Sequence, residues 1–182
     1  MINNLSIIRP TKDDIESAYT TFEVSIADAF EKEEIEDSKE DILREIQHKK
    51  NLLNSSLNDP DSKVHFLVAK VENKVIGIVS FGPCGKDIKN CTNNEFDSIG
   101  ELGSLYILPD YQDKGVGSKL INSMLKYLNK LGIEEFCFDS GYSRAQKRWI
   151  KKFGKPYIIA KDYWGEDGDN MILLCKVKDY IT

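Results

Sequence analysis

Histidine and paired cysteine are scarce in this chain, and the shortage excludes whole classes of chemistry. Only His48 and His65 could supply imidazole, and Cys84, Cys91, Cys137 and Cys175 form no C-x-x-C pair. No metal site is predicted. No apolar run approaches the roughly 18 residues of a membrane-spanning helix. The stretch Met1-Ile2-Asn3-Asn4-Leu5 has neither a basic n-region nor an apolar h-region, so no secretory leader is expected. The expected compartment is the cytoplasm, where the thiols stay reduced. Positive charge is in deficit, with 25 Lys and Arg against 30 Asp and Glu. That net charge of −5 is a poor match for nucleic acid, whose phosphates need a basic surface. Internal repeats and low-complexity tracts are also lacking.

What remains fits one domain spanning residues 1–182, with 41% hydrophobic and 30% charged residues. Ser6 to Pro10 reads as a strand, and Thr11 with Asp14 three residues on resembles a helix start. Ile15, Ala18, Tyr19, Phe22 and Ile26 then recur at helical spacing. Ser38 is a plausible N-cap for a second helix, Lys39 to Leu53, with a polar connector after it from Asn54 to Ser62. Val64 to Val71 and Val75 to Phe81 read as a hairpin turning at Glu72-Asn73-Lys74, with Asn73 suited to positive φ. Gly82 to Asp97 reads as an extended surface loop of a length typical of functional lids. Beyond it come a strand, Ile99 to Leu108, a helix, Gly117 to Leu131, and a strand, Ile133 to Asp139. That order predicts a right-handed parallel crossover. The helix carries Leu120, Ile121, Met124, Leu125, Leu128 and Leu131 on one face. A helix, Arg144 to Phe153, and two strands, Tyr157 to Trp164 and Met171 to Val177, complete the chain. Cys137 and Cys175 fall in strands and read as buried apolar residues.

The richest stretch is Gln112-Asp113-Lys114-Gly115-Val116-Gly117, between a strand and a helix. Glycine lets a backbone approach a ligand closely. A helix's first turn has unpaired N–H groups and partial positive charge. Together they predict a site for a phosphate or pyrophosphate, with Ser118 and Lys119 extending it and Lys114 as a counter-charge. The spacing is not that of a dinucleotide fingerprint, because the third glycine position holds Leu120. It is not a P-loop either, because Gly117-Ser118-Lys119 has the wrong order.

The loop does match Q/R-x-x-G-x-G/A, and Leu105-Tyr106-Ile107-Leu108-Pro109-Asp110-Tyr111 before it looks like L-Y-V-x-P-x-Y. In both respects the chain resembles the GNAT superfamily of acetyl-CoA-dependent N-acetyltransferases. The resemblance extends to the order of elements over nearly the whole chain. It implies an α/β (α+β) fold whose mixed central sheet, flanked by helices, has splayed fourth and fifth strands. It also implies acetyl-CoA as acyl donor. The pantetheine arm would run along the fourth strand at Leu105 and Ile107, and the pyrophosphate would sit on Gln112, Asp113, Lys114, Gly115, Val116, Gly117, Ser118 and Lys119.

Transfer of acetyl to an amine needs a base, because a free alkylamine is protonated below a pKa of about 10. Glu101 is the candidate. Period-two alternation puts it on one face with Gly103, Leu105 and Ile107. It precedes Gln112 by eleven residues, a spacing that matches the catalytic glutamate of the family's histone acetyltransferase branch. A strand-end glutamate in an ion pair is the plain alternative. The developing oxyanion needs a donor, which the resemblance places at the Ile107 N–H. For the leaving thiolate the family uses a tyrosine within F-Y-E-K-x-G, but the matching run, Trp149-Ile150-Lys151-Lys152-Phe153-Gly154, has Ile150 there. Tyr142, Tyr157 or a water are the remaining proton donors, and Tyr142 is taken as the candidate.

The acceptor is less visible. From Lys12 to Glu45 there are 13 acidic residues against 4 basic ones. Such a rim suits a cationic amine, although a solvated helix face is the simpler reading. Trp149, Tyr163 and Trp164 could form an aromatic wall. The expected function is transfer from acetyl-CoA to a primary amine of a small molecule or peptide by direct attack in a ternary complex. The alternatives are a CoA-binding regulator with the same fold and an acetyltransferase acting on protein amines. No membrane or nucleic acid partner is expected, and a homodimer is left open.

Overall fold

The computed structural model describes residues 2–33 and 39–182. Its contacts divide the chain into two compact units, one running to Phe81 and adding Ser104–Met124, the other comprising Gly82–Gly103 and Leu125–Thr182. Hydrogen-bonded neighbours follow the order β1-β2-β3-β4 in the first and β4-β5-β7-β6 in the second, giving the mixed seven-stranded sheet expected of the class.

In the first unit, β1 (Leu5–Ile8), β2 (His65–Val71) and β3 (Lys74–Pro83) pair antiparallel. Two helices cover them, α1 (Ile15–Lys32) and α2 (Lys39–Asn58). Ala18, Phe22 and Ile26 of α1 form one core with Leu53 of α2 and Phe66, Val68, Val75 and Ile78 of the sheet. The helical spacing in the sequence is thus the spacing of the buried face. The capping box at Thr11 and Asp14 is present. Thr11 donates its N–H to Asp14 Oδ2 at 2.8 Å, and Asp14, only 3% exposed, also pairs with Lys70. Burial alone would raise the Asp14 carboxyl, but the bonds from Lys70 and Thr11 outweigh it and hold it below its ordinary value.

In the second unit, β4 (Gly100–Ile107) enters parallel to β5 (Glu135–Ser140), in register at Gly100–Phe136 and Glu101–Cys137. β5 pairs antiparallel with β7 (Asn170–Lys176), which pairs with the short edge strand β6 (Ile158–Ala160). α5 (Ser143–Phe153) lays Trp149 and Phe153 against Phe138, with ring centroids 5.6 and 5.1 Å away. Both β4 and the long helix α4 (Val116–Lys130) pass from one unit's residues to the other's.

Several expectations need correction. The stretch from Gly82 to Asp97 is not an extended loop. It holds a short helix, α3 (Lys86–Cys91), and buries Cys84, Ile88 and Phe96 in a core with Cys137 and Ile172. α2 runs on to Asn58 through most of the expected connector. At the hairpin it is Glu72, not Asn73, that has positive φ, at 55°. Leu131 is 53% exposed because Gly132, at φ 74°, ends the helix there, while Leu120, Ile121, Met124, Leu125 and Leu128 are buried as expected. The strand from Tyr157 shrinks to three residues. Ser38, the expected cap of α2, lies outside the described residues.

Candidate active site

The glycine loop belongs to the first unit. β4 closes on β3 through the Leu108 N–H to the Ile76 carbonyl, 3.0 Å. Pro109–Tyr111 then makes a 3-10 turn. Asp113 (φ 56°) and Gly115 (φ 81°) bend the chain into α4, whose first helical bond runs from Lys119 N–H to the Gly115 carbonyl, 3.1 Å. The Val116, Gly117 and Ser118 N–H groups precede that bond and have no acceptor within the helix. Val116 and Leu120 anchor the turn beneath, 1% and 0% exposed, whereas Asp113, Lys114, Gly115, Ser118 and Lys119 are exposed.

The two glycines have different reasons to be there. Gly115 is required by its positive φ, and a Cβ on it would meet nothing within 4 Å. Gly117 is required by nothing in the protein. A Cβ there would make only ordinary contacts, 3.9 Å from Ile107 Cγ1 and Leu105 Cδ2. N–H groups left without a helical acceptor under an open glycine surface are what a pyrophosphate needs, so the residues present fit the diphosphate of a CoA ester.

The side chain of Gln112 turns toward α1 and not toward the loop. Its Nε2 donates to the Ile107 carbonyl and to Asp28 Oδ2, both at 3.1 Å, and its Oε1 accepts from Lys32 at 3.0 Å. Lys32 also pairs with Asp28 at 2.6 Å. Asp28 and Lys32 were invisible as site residues, since they lie 84 and 80 positions from Gln112. Their only sequence signal is an i, i+4 charge pair on α1.

Glu101 belongs to the second unit. Its Oε2 accepts the Gly85 N–H at 2.6 Å. Beside it, the Cys137 Sγ lies 4.0 Å from Cys84 Sγ and 3.5 Å from the Gly100 carbonyl. Burial above all pushes both thiols up, and the Glu101 carboxylate adds to the rise. Ser104, between Glu101 and Leu105, has φ 49°, a left-handed residue inside a strand.

Tyr142 is the N-cap residue of α5, half-buried, with its carbonyl accepting the Gln146 N–H at 2.9 Å. The hydroxyl of Tyr157 donates to Glu95 Oε2 at 2.7 Å, which raises its pKa. Ile150 is 44% exposed. Trp149 packs into the aromatic cluster, while Trp164 is 54% exposed with its Nε1 close over Gly141. The Tyr163 hydroxyl donates to Asp87 Oδ1 at 2.8 Å. No metal-binding group of His, Cys, Asp or Glu occurs among the described residues, and no helix among them is long and apolar enough to cross a membrane.

No curated protein matches the sequence. Solved structures do resemble it. The chain is similar to the PaiA N-acetyltransferase of Thermoplasma acidophilum in complex with coenzyme A, with TM-score 0.68, 20% identity and coverage of 94% of this chain and 98% of that one. It is also similar to a ribosomal-protein alanine N-acetyltransferase of Escherichia coli (TM-score 0.63, 16% identity, 95% and 94% covered). A third is a chimera of the Vibrio cholerae spermidine N-acetyltransferase (TM-score 0.64, 15% identity, 98% of both chains). At these identities the likeness is one of fold. The family itself is shown by the acetyltransferase (GNAT) family model, which matches residues 21–154, most of the sequence and all of the glycine loop. The chain belongs to the acetyltransferase (GNAT) family.

Proposed function

We propose that residues 1–182 form a single N-acetyltransferase domain that uses acetyl-CoA and a primary amine together in a ternary complex. The observation that carries this is Gly117, a glycine that neither backbone nor packing requires, at a helix entrance whose first N–H groups have no acceptor within the helix. The Val116, Gly117 and Ser118 N–H groups hold the pyrophosphate, with Lys114 and Lys119 as counter-charges. The Ile107 N–H receives the negative charge that develops on the thioester oxygen. Glu101 takes the proton from the attacking amine, directly or through one water. The amine nitrogen bonds to the acetyl carbon, the carbon–sulfur bond breaks, and the CoA thiolate takes a proton from water or Tyr142.

Two named relatives act on a polyamine and on a protein alanine, so the family tolerates both acceptor types. The acidic excess between Lys12 and Glu45 favours the cationic small molecule. A cytoplasmic location goes with this reading. A CoA-binding regulator is the second reading, favoured by the aliphatic Ile150 at the family's tyrosine position. The test is a panel of polyamines, aminoglycosides and N-terminal peptides, with CoA thiol release as readout. For the acceptor that turns over, Glu101→Gln should lower kcat at neutral pH by about 10²-fold or more. Unchanged kcat removes Glu101 from the base role, and cofactor binding without turnover on any amine favours the regulator.

A further inference from the structure

We infer that Gly85 is a positioning residue for the Glu101 carboxylate, through both its backbone N–H and its missing side chain; the inference rests on Glu101 as the base. The N–H reaches Oε2 at 2.6 Å, a short charge-assisted bond. A Cβ on Gly85 would stand 2.8 Å from Oε2, 3.7 Å from Cδ and 3.9 Å from Oε1, so the carboxylate lies across the face where a side chain would project. The backbone does not ask for glycine. Gly85 has φ −74° and ψ 167°, which any residue adopts. The carboxylate is what excludes a side chain.

The seat is held firmly. The Gly85 carbonyl accepts the Lys89 N–H at 3.1 Å, opening α3. Ile88 is 1% exposed, and the Thr92 hydroxyl donates to its carbonyl at 2.8 Å. On the other side of Gly85, Cys84 is buried in the same core as Ile88, Phe96 and Cys137. Glu101 is itself fixed from below by its register with Cys137. The segment between β3 and β4 is therefore a brace that ends in one amide aimed at a carboxylate. That amide favours the ionised form, which is the form a base must have before the amine arrives.

The test is Gly85→Ala, which keeps the N–H but inserts the Cβ. The carboxylate must withdraw by several tenths of an ångström. A misplacement of about 1 Å at a reacting group can cost about 10²-fold. The expected result is kcat lowered tenfold or more with the KM for acetyl-CoA unchanged. The acid limb of the kcat profile should move to higher pH, since a carboxylate pushed away from its donor is harder to ionise. In a Glu101→Gln background the same substitution should cost nothing further. Normal kcat and pH profile in Gly85→Ala, with Glu101→Gln impaired, would overturn the inference and leave the base intact. Full activity in Glu101→Gln would instead remove the base itself. If Gly85→Ala fails to fold, the Gly85 amide proton of the intact protein decides. Its resonance should titrate with a carboxylate in the wild type and not in Glu101→Gln, and identical behaviour in both refutes the seat.

Discussion

Gly77 on β3 holds the glycine loop in place by having no side chain. A Cβ there would lie 2.7 Å from Ile107 Cδ1, 3.0 Å from Leu120 Cδ1 and 3.2 Å from Val116 Cγ1. Those residues are the end of β4 and the first turn of α4, on either side of the loop. Ordinary carbon contacts need about 3.5–4.0 Å, so all three must retreat. Ile107 Cδ1 is a flexible tip, but Val116 and Leu120 are fully packed. Overpacking of this kind costs about 1–3 kcal/mol. The added methyl and the less flexible unfolded chain return roughly 1 kcal/mol. With three contacts too short at once the cost lies in the upper part of that range, about 2–3 kcal/mol, so Gly77→Ala should destabilise by about 1–2 kcal/mol net, which lowers Tm by roughly 2–8 °C in a chain of this size. Because the strain falls on the helix entrance, acetyl-CoA should also protect the variant less. In the wild type, acetyl-CoA at 100 times its Kd should add about 2.7 kcal/mol. Calorimetric scans with and without acetyl-CoA measure both effects. An unchanged Tm together with undiminished protection would refute the claim that this packing sets the loop.

Buried groups give two further outcomes. Asp14→Ala leaves Lys70 without its buried partner and should cost about 3 kcal/mol in chemical denaturation. Because the folded-state pKa of Asp14 is lowered, its contribution is complete above the unfolded value of about 3.9 and is lost as pH falls through the folded value. The variant should thus show a shallower loss of stability below pH ~4, and an acid limb as steep as in the wild type contradicts the assignment. Burial pushes Cys175 up to about 12 and Cys137 higher still, whereas Cys91 is half-buried. Maleimide at pH ~8 should label Cys91 first and reach Cys137 and Cys175 only on unfolding. Mass spectrometry checks the order, and early modification of Cys137 in folded protein is the contrary result.

The parts of this molecule that could be read in the sequence are those with a short period. The apolar faces of α1 and α4, the Thr11–Asp14 cap and the loop before α4 all lie within a few turns of chain. The brace between β3 and β4 was not readable. Its buried residues Cys84, Ile88 and Phe96 are spaced four and eight apart among polar neighbours, too few and too far apart to establish a period. Gly85 looked like a loop glycine because its meaning depends on Glu101, sixteen residues on. The Asp28–Lys32–Gln112 cluster joins α1 to the loop across 80 residues or more. Ser104 has no local signal for its left-handed φ, so this irregularity inside β4 was not readable either.

The central claim is that the α4 entrance holds the diphosphate of acetyl-CoA. Its most direct test is a calorimetric titration of the protein with acetyl-CoA beside Gly117→Val. The nearest protein atoms to that Cβ are 3.9 Å away, so the variant should fold. The account predicts saturable binding by the wild type that Gly117→Val weakens by at least about tenfold, some 1.4 kcal/mol, at unchanged thermal stability. Equal affinity in the two proteins, or no binding by folded wild type, would contradict it.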